Sequence, residues 1–376
     1  MAPEIFSDMD RLIDFLNGKA KIWSFGKLLS EIYKGSIPIH TKLTDQLTVY
    51  TLGSRTDAGF EDIRPQTARK VRNWLSGANQ PASREELFKI CFALELNSYE
   101  AEIILSSGAE SGIHYRNPKE LVYAFCLKKG MDFLSAQQLI LKLGISDLPS
   151  GCLDYQQQIR QTSKTDNNMY LTTSIRDEFK QLSTVEELQN FLEQHKEHLG
   201  LHHNTAYRKF CLMLRYLADG ISSDYPDAPE EKQYSLERVT EEYLRMGIPY
   251  QKQNRTYTKL QKQIKKHWPS PKIIQEMYSR KRDVSRKALL LLYLATEGMG
   301  ADIADRTYIE EHYRRINLMM VSCGMAQLNL HNPFDYLIVQ CLYRENDDDF
   351  MSWRMERFLS RLFQNETGAA YVHVDV

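Results

Sequence analysis

Apolar residues recur at three- and four-residue steps along most of the chain, the period of one buried helix face. Phe25 to Ile32, Glu86 to Leu94 and Phe191 to His195 show this spacing most plainly. Ser183-Thr-Val-Glu186 reads as a capping box ahead of the helix through His195. Strict apolar–polar alternation is nearly absent, and Ala370 to Val376 is the one fair strand candidate. The pattern predicts an all-α protein.

Two stretches interrupt the periodicity. Ile145 to Thr173 holds few large apolar residues and suits a solvated linker. Gly220 to Lys232, rich in Ser, Asp, Pro and Glu, reads as a second loop. The expected organisation is an N-terminal helical module over 1–145, a polar linker over 146–173, a helical middle section over 174–220 and a C-terminal module over 233–376.

Self-comparison supplies more. Val71 to Leu94 aligns with Ile274 to Thr296 with one gap, so that Ser76 falls on Ser279 and Ser83-Arg84 on Ser285-Arg286. In the same alignment Leu87 falls on Leu289 and Ala93 on Ala295. Downstream, Asn117-Pro118 meets Asn332-Pro333 and Cys126-Leu127 meets Cys341-Leu342. Amphipathic helices align by period alone, but period does not place turns, helix starts and Cys-Leu pairs in one order. We read a duplicated module, with helix starts expected at both Asn-Pro pairs.

Pro65 to Gly77 reads as a helix with Pro at N1 and Gly just past its end. A short loop with Pro81 follows, then Ser83 as N-cap of an apolar helix. On Val71, Trp74, Gly77, Pro81, Ser83, Leu87, Ile90, Ala93 and Leu94, the segment from Phe25 to Ala109 resembles the phage-repressor (Cro-like, XRE) helix-turn-helix family. The resemblance implies a recognition helix lying in the DNA major groove. Its groove-facing residues would be Thr67, Arg69, Lys70 and Asn73, with Arg72 adding positive charge, while Val71, Trp74 and Leu75 face the core. Arg and Lys donate to guanine, and Asn pairs with adenine.

The chain departs from the family in two places. Between a helix expected over Thr41 to Leu52 and Pro65 lie residues 54–64, where the family has a short turn; Asp57, Glu61 and Asp62 there would repel phosphate or mask the helix. The second copy, whose recognition helix is expected at about 270–279, has Arg280 in place of the family's Gly.

Charge sharpens the picture locally. The chain as a whole is at −1, yet Arg64 to Arg84 holds five basic residues and no acid. Lys252 to Lys287 holds twelve basic residues against Glu276 and Asp283, a local net charge of +10. Lys259, Lys262 and Lys266 would share one helical face, and with Lys281 and Arg282 they are the expected phosphate contacts. The plain alternative for either run is a solvated, charged helix face.

No phosphate-binding Gly loop, dinucleotide fingerprint, zincin motif or nucleophile elbow occurs. His195, His198, His202 and His203 are the one dense histidine group, but Gly200 interrupts them, and His near a helix C-terminus is the plainer account. Glu345 to Asp349 lacks the alternation of a calcium loop. No metal, cofactor or enzymatic activity is expected. Six scattered cysteines, an acidic N-terminal stretch and no apolar run beyond Ala288 to Ala295 suggest a cytoplasmic protein outside the membrane.

The expected function is DNA binding, with transcriptional regulation as its biological form and double-stranded DNA as the partner; a homodimer or a protein partner is compatible with it. The other reading is a non-enzymatic helical interaction scaffold that keeps the repressor-like fold without binding DNA.

Overall fold

A computed structural model describes residues 23–53, 59–81, 83–109, 112–145, 171–199, 204–219, 235–249, 257–296, 308–343 and 350–367. Every regular element among them is helical. The described residues fall into two compact units, one spanning Trp23–Thr205 with 320–326, the other 206–319 with the residues from 327 onward.

The first unit runs through α1 (Phe25–Ile32), α2 (Ile39–Leu52), α3 (Phe60–Leu75), α4 (Arg84–Ala93), α5 (Ser98–Ala109), α6 (Pro118–Lys128), α7 (Phe133–Lys142), α8 (Leu171–Gln181) and α9 (Val185–Gln194). Most of these helices present one apolar stripe to the core, as their period requires. α6 is different: every residue from Glu120 to Leu127 is buried, so it is the central helix. Around it Tyr123, Phe133, Phe88 and Phe92 form a cluster of tilted and edge-on rings with centroids 5.0–5.8 Å apart.

α1 lies across the end of α3. A Cβ on Gly26 would come within 2.1 Å of the Leu75 carbonyl oxygen, so only glycine permits this approach. α8 and α9 dock on the same unit through Phe179, which meets Tyr115 and Phe191 at 5.9 and 6.0 Å. The Lys128 ammonium, at the end of α6, donates to the Lys180 and Leu182 carbonyls.

The second unit comprises α10 (Asn204–Asp219), α11 (Leu236–Val239, continuing as a π turn over Thr240–Leu244), α12 (Lys259–Lys265), α13 (Pro271–Tyr278), α14 (Arg286–Ala295), α15 (Tyr308–Ser322), α16 (Pro333–Cys341) and α17 (Met351–Thr367). Two of its helices are buried on all sides, α14 from Arg286 to Leu294 and α16 along its whole length. The apolar run read in the sequence is α14. The Trp268 indole donates to the Leu244 carbonyl at 3.0 Å, and Arg354 donates to the Cys341 carbonyl at 2.7 Å.

Several boundaries differ from the sequence reading. α3 begins at Phe60, so Pro65 lies inside the helix rather than at N1. The apolar face explains this: Ile63, Thr67, Val71 and Trp74 are all buried, and the stripe continues upstream of the proline. Pro65 and Glu61 are both exposed, so the backbone bond that Pro65 cannot make is missing on the solvent side of the helix. The capping box ahead of α9 sits one residue later than read, with Thr184 as N-cap and Glu187 as its partner. The 174–220 segment is distributed between the units, with α8 and α9 in the first and α10 in the second. The last residues of the linker reading, 171–173, are helical and open α8, while 146–170, 220–232, 344–349 and 370–376, on which the rest of the linker, loop and strand readings depend, lie outside the described residues.

Candidate nucleic-acid interface

α3 is preceded by Gly59 as its N-cap, whose backbone N–H donates to the Asp62 carboxylate at 3.3 Å. Its middle is tied to α2 by Arg64, which donates to Asp45 at 3.0 Å. The helix closes at Ser76 and turns through Gly77 in the left-handed region (φ 70°), a conformation glycine adopts without penalty. Ser83 then caps α4 by accepting from the Glu86 N–H at 3.2 Å.

Opposite the buried stripe of α3, Gln66, Arg69, Arg72 and Ser76 are exposed and Asn73 is half-buried. At 100° per residue these five share one face. Among the described residues nothing bonds to the Arg69 or Arg72 guanidinium. Not every expected contact lies there. Thr67 is a correction: it is buried, its hydroxyl donates to the Ile63 carbonyl at 3.2 Å, and it cannot face a groove. It stands four residues from both Ile63 and Val71, on the core stripe. Lys70 is exposed but engaged, pairing with Glu86 and lying 5.2 Å from the Trp74 ring centroid. Asp62 lies two turns before Arg69 on the same face, and Glu61 adjoins it.

The start of α4, just past this turn, is fixed by a charged clasp. Arg84 donates to both oxygens of Glu120 at 2.6 Å, and also to the Gly112 carbonyl at 2.7 Å. The His114 N–H donates to the same Glu120 at 2.8 Å. Asn117 caps α6 and Pro118 is its first residue, a position where the missing N–H costs nothing.

The second unit contains the same construction. Ser279 closes α13, Arg280 turns through the left-handed region (φ 55°), and Ser285 caps α14. Arg286 donates to both oxygens of Asp335 at 2.7 and 2.8 Å and to the Gln327 carbonyl at 3.1 Å. The Asn329 N–H donates to Asp335 at 2.8 Å, and Asn332 and Pro333 open α16. Carbonyl, N–H, Asn cap and carboxylate follow one another at the same sequence steps in both units. Cys126 and Cys341 both lie buried on the helices so begun.

Arg280 keeps its strained backbone with help from α10. Its guanidinium sits 3.9 Å from the Tyr207 ring centroid, and the Tyr207 hydroxyl donates to the Tyr278 carbonyl at 2.8 Å.

The basic segment is less available than its charge suggests. Arg286 and Lys287 are buried; the Lys287 ammonium donates to the Ile264 and Lys266 carbonyls beneath the Phe334 ring. Lys265 bonds the Tyr257 hydroxyl at 3.1 Å. Arg282 is exposed but donates to Glu276 at 2.9 Å. α12 ends at Lys265 and Lys266 leaves it in an extended conformation (ψ 131°), so Lys259, Lys262 and Lys266 do not line one continuous face. The Lys259 side chain lies outside the described residues. Lys262, Lys272 and Lys281 remain exposed.

His195, at the end of α9, ties that helix to α8. His195 lies 2.8 Å from the Glu178 carboxylate and against Phe191, while His202 and His203 lie outside the described residues. No group of three or more His, Cys, Asp or Glu is placed to hold a metal among the described residues. No described helix is long and apolar enough to cross a membrane.

Sequence reasoning missed Glu120, Asp335, Gly112 and Gln327, the partners that make the paired arginines structural. The signal was present in the alignment, since each carboxylate stands three residues after an aligned Asn. No protein-family model, curated protein or solved structure matches the chain.

Proposed function

We propose that the chain carries a repressor-type helix-turn-helix module twice and binds double-stranded DNA, with α3 as a groove-reading helix. The observation that carries this reading is the pairing of two faces on α3. Val71 and Trp74 anchor one face in the core, while Arg69, Arg72 and Asn73 stand together on the other with no described partner for either guanidinium. An exposed basic face on a helix whose end is closed by a cap supplies donors for phosphate and base edges without new ordering of the backbone. Transcriptional regulation is the biological form this activity takes.

The test is a titration of the full chain against random duplex DNA at two salt concentrations, repeated with an R69A/R72A/N73A variant. Affinity should fall with salt, and the variant should bind more weakly with a shallower salt slope. Binding unchanged in a folded triple variant removes α3 as the reader.

A second reading has its own observation. The charge of the 252–287 segment does not translate into an equally charged surface: Arg286 and Lys287 are interior and Arg282 is paired, so much of the basic segment serves the fold. A helical interaction scaffold accounts for that, and no salt-dependent DNA binding at all is its expected outcome.

A further inference from the structure

We infer that α13 carries a second base-reading set, Lys272 and Gln275, in the C-terminal unit. The inference rests on the DNA-binding reading above and extends it to residues outside the expected phosphate contacts.

The assignment follows from the caps. Ser76 and Ser279 close their helices with matching bonds, the Ser76 N–H to the Arg72 carbonyl and the Ser279 N–H to the Gln275 carbonyl, both 2.9 Å. The next residue is left-handed in each case, and its N–H bonds back to Trp74 or to Met277 at 3.1 Å. That register puts Lys272 where α3 has Arg69, Gln275 where it has Arg72, and Glu276 where it has Asn73. Ile274 and Met277 take the buried places of Val71 and Trp74.

Both proposed readers are exposed, and no described residue bonds to the ammonium of Lys272 or the amide of Gln275. Gln presents the donor–acceptor pair that matches adenine in the major groove, and Lys donates to guanine or phosphate. The surroundings suit a polyanion. α13 has no acid in its first turn, Glu276 is neutralised by Arg282 at 2.9 Å, and Lys281 stands exposed just beyond the helix. α3 lacks this advantage, because Glu61 and Asp62 occupy its first turn.

The experiment selects bound duplexes from a random DNA library with the unaltered full chain, with K272A/Q275A and with R69A/R72A. Circular dichroism shows that each variant keeps its helices. The unaltered chain should enrich two blocks of specified bases. K272A/Q275A should erase one block, R69A/R72A the other, and each pair should lower affinity for the best site by about tenfold or more. Selected sites and affinity unchanged in K272A/Q275A overturn the inference while leaving α3 as reader. Loss of one and the same block in both variants overturns it too. No binding by the unaltered chain overturns the DNA reading itself and this inference with it.

Discussion

Arg286 and Asp335 face each other across two hydrogen bonds of 2.7 and 2.8 Å, with side-chain exposures of 6% and 3%. The pair joins the start of α14 to the start of α16. Arg286 also donates to the Gln327 carbonyl and Asp335 also accepts from the Asn329 N–H, so the buried charges are hydrogen-bonded as well as paired. Arg84 and Glu120 make the same link in the other unit with more exposure, 29% and 8%.

Removing one partner leaves the other charge buried and alone. Asp335→Ala should therefore destabilise the C-terminal unit by about 3–5 kcal/mol. Glu120→Ala should cost less, because water reaches the Arg84 side chain. Urea unfolding of both variants checks the order, and a larger loss from Glu120→Ala than from Asp335→Ala contradicts it.

The two left-handed turns predict different responses to adding and to removing a side chain. Gly77→Ala puts a Cβ at φ 70° and only 3.3 Å from the Ser24 Cβ, and should destabilise by about 1–2 kcal/mol. Arg280→Gly relieves a comparable strain but forfeits the stack of a half-buried guanidinium on Tyr207, worth about 0.5–2 kcal/mol. Its net effect should lie within about 1 kcal/mol of neutral. Thermal unfolding of the two variants in parallel checks this, and a strong loss from Arg280→Gly would mean that the Tyr207 contact outweighs the backbone strain.

What can be read from the sequence follows from where each signal is local. Helix period and N-caps involve residues three or four apart, so the all-α class, the Ser83 and Ser285 starts and the Asn-Pro starts are legible. The start of α3 is misread because Pro65 is a strong local signal, whereas Ile63 counts only once its burial is known. Thr67 reads as a groove residue for the same reason, since its place on the wheel depends on which stripe is core. The +10 segment overstates an accessible surface because charge counts do not reveal that Lys287 caps carbonyls in the interior or that Arg286 is bonded to a residue forty-nine positions away.

Acidification should weaken the C-terminal unit through His312. Its ring is buried, lies 2.8 Å from the Tyr293 hydroxyl and stacks on Tyr308 at 4.4 Å. Burial, helped by the nearby Arg315 and Arg354 charges and opposed by Glu311, lowers its pKa from 6.5 to about 4. The folded state thus holds the neutral ring, and the unfolded state takes up a proton first as pH falls. This contribution is complete above about pH 6.5 and is lost as pH drops toward 4, amounting to about 3 kcal/mol at the low end. Unfolding free energies at pH 7, 5.5 and 4.5 should decline more steeply in the unaltered chain than in His312→Gln. Parallel pH profiles would remove His312 as the cause.

The acids at the start of α3 make a prediction about the DNA reading itself. Asp62 lies on the face that carries Arg69 and Asn73, and Glu61 adjoins it in the first turn, where the helix dipole would otherwise favour phosphate. Both acids are exposed, so their effect on a nearby phosphate is a screened Coulomb repulsion of less than about 1 kcal/mol each. Asp62 also accepts the Gly59 N–H, and asparagine retains an acceptor there. E61Q/D62N should therefore remain folded and bind duplex DNA about two- to fivefold more tightly at low salt, with the gain shrinking as salt rises. Tighter binding by a constant factor at all salt concentrations would point to a changed helix end rather than to charge. Equal affinity would place the first turn of α3 away from the phosphates and confine the contact to the half of the helix from Arg69 onward.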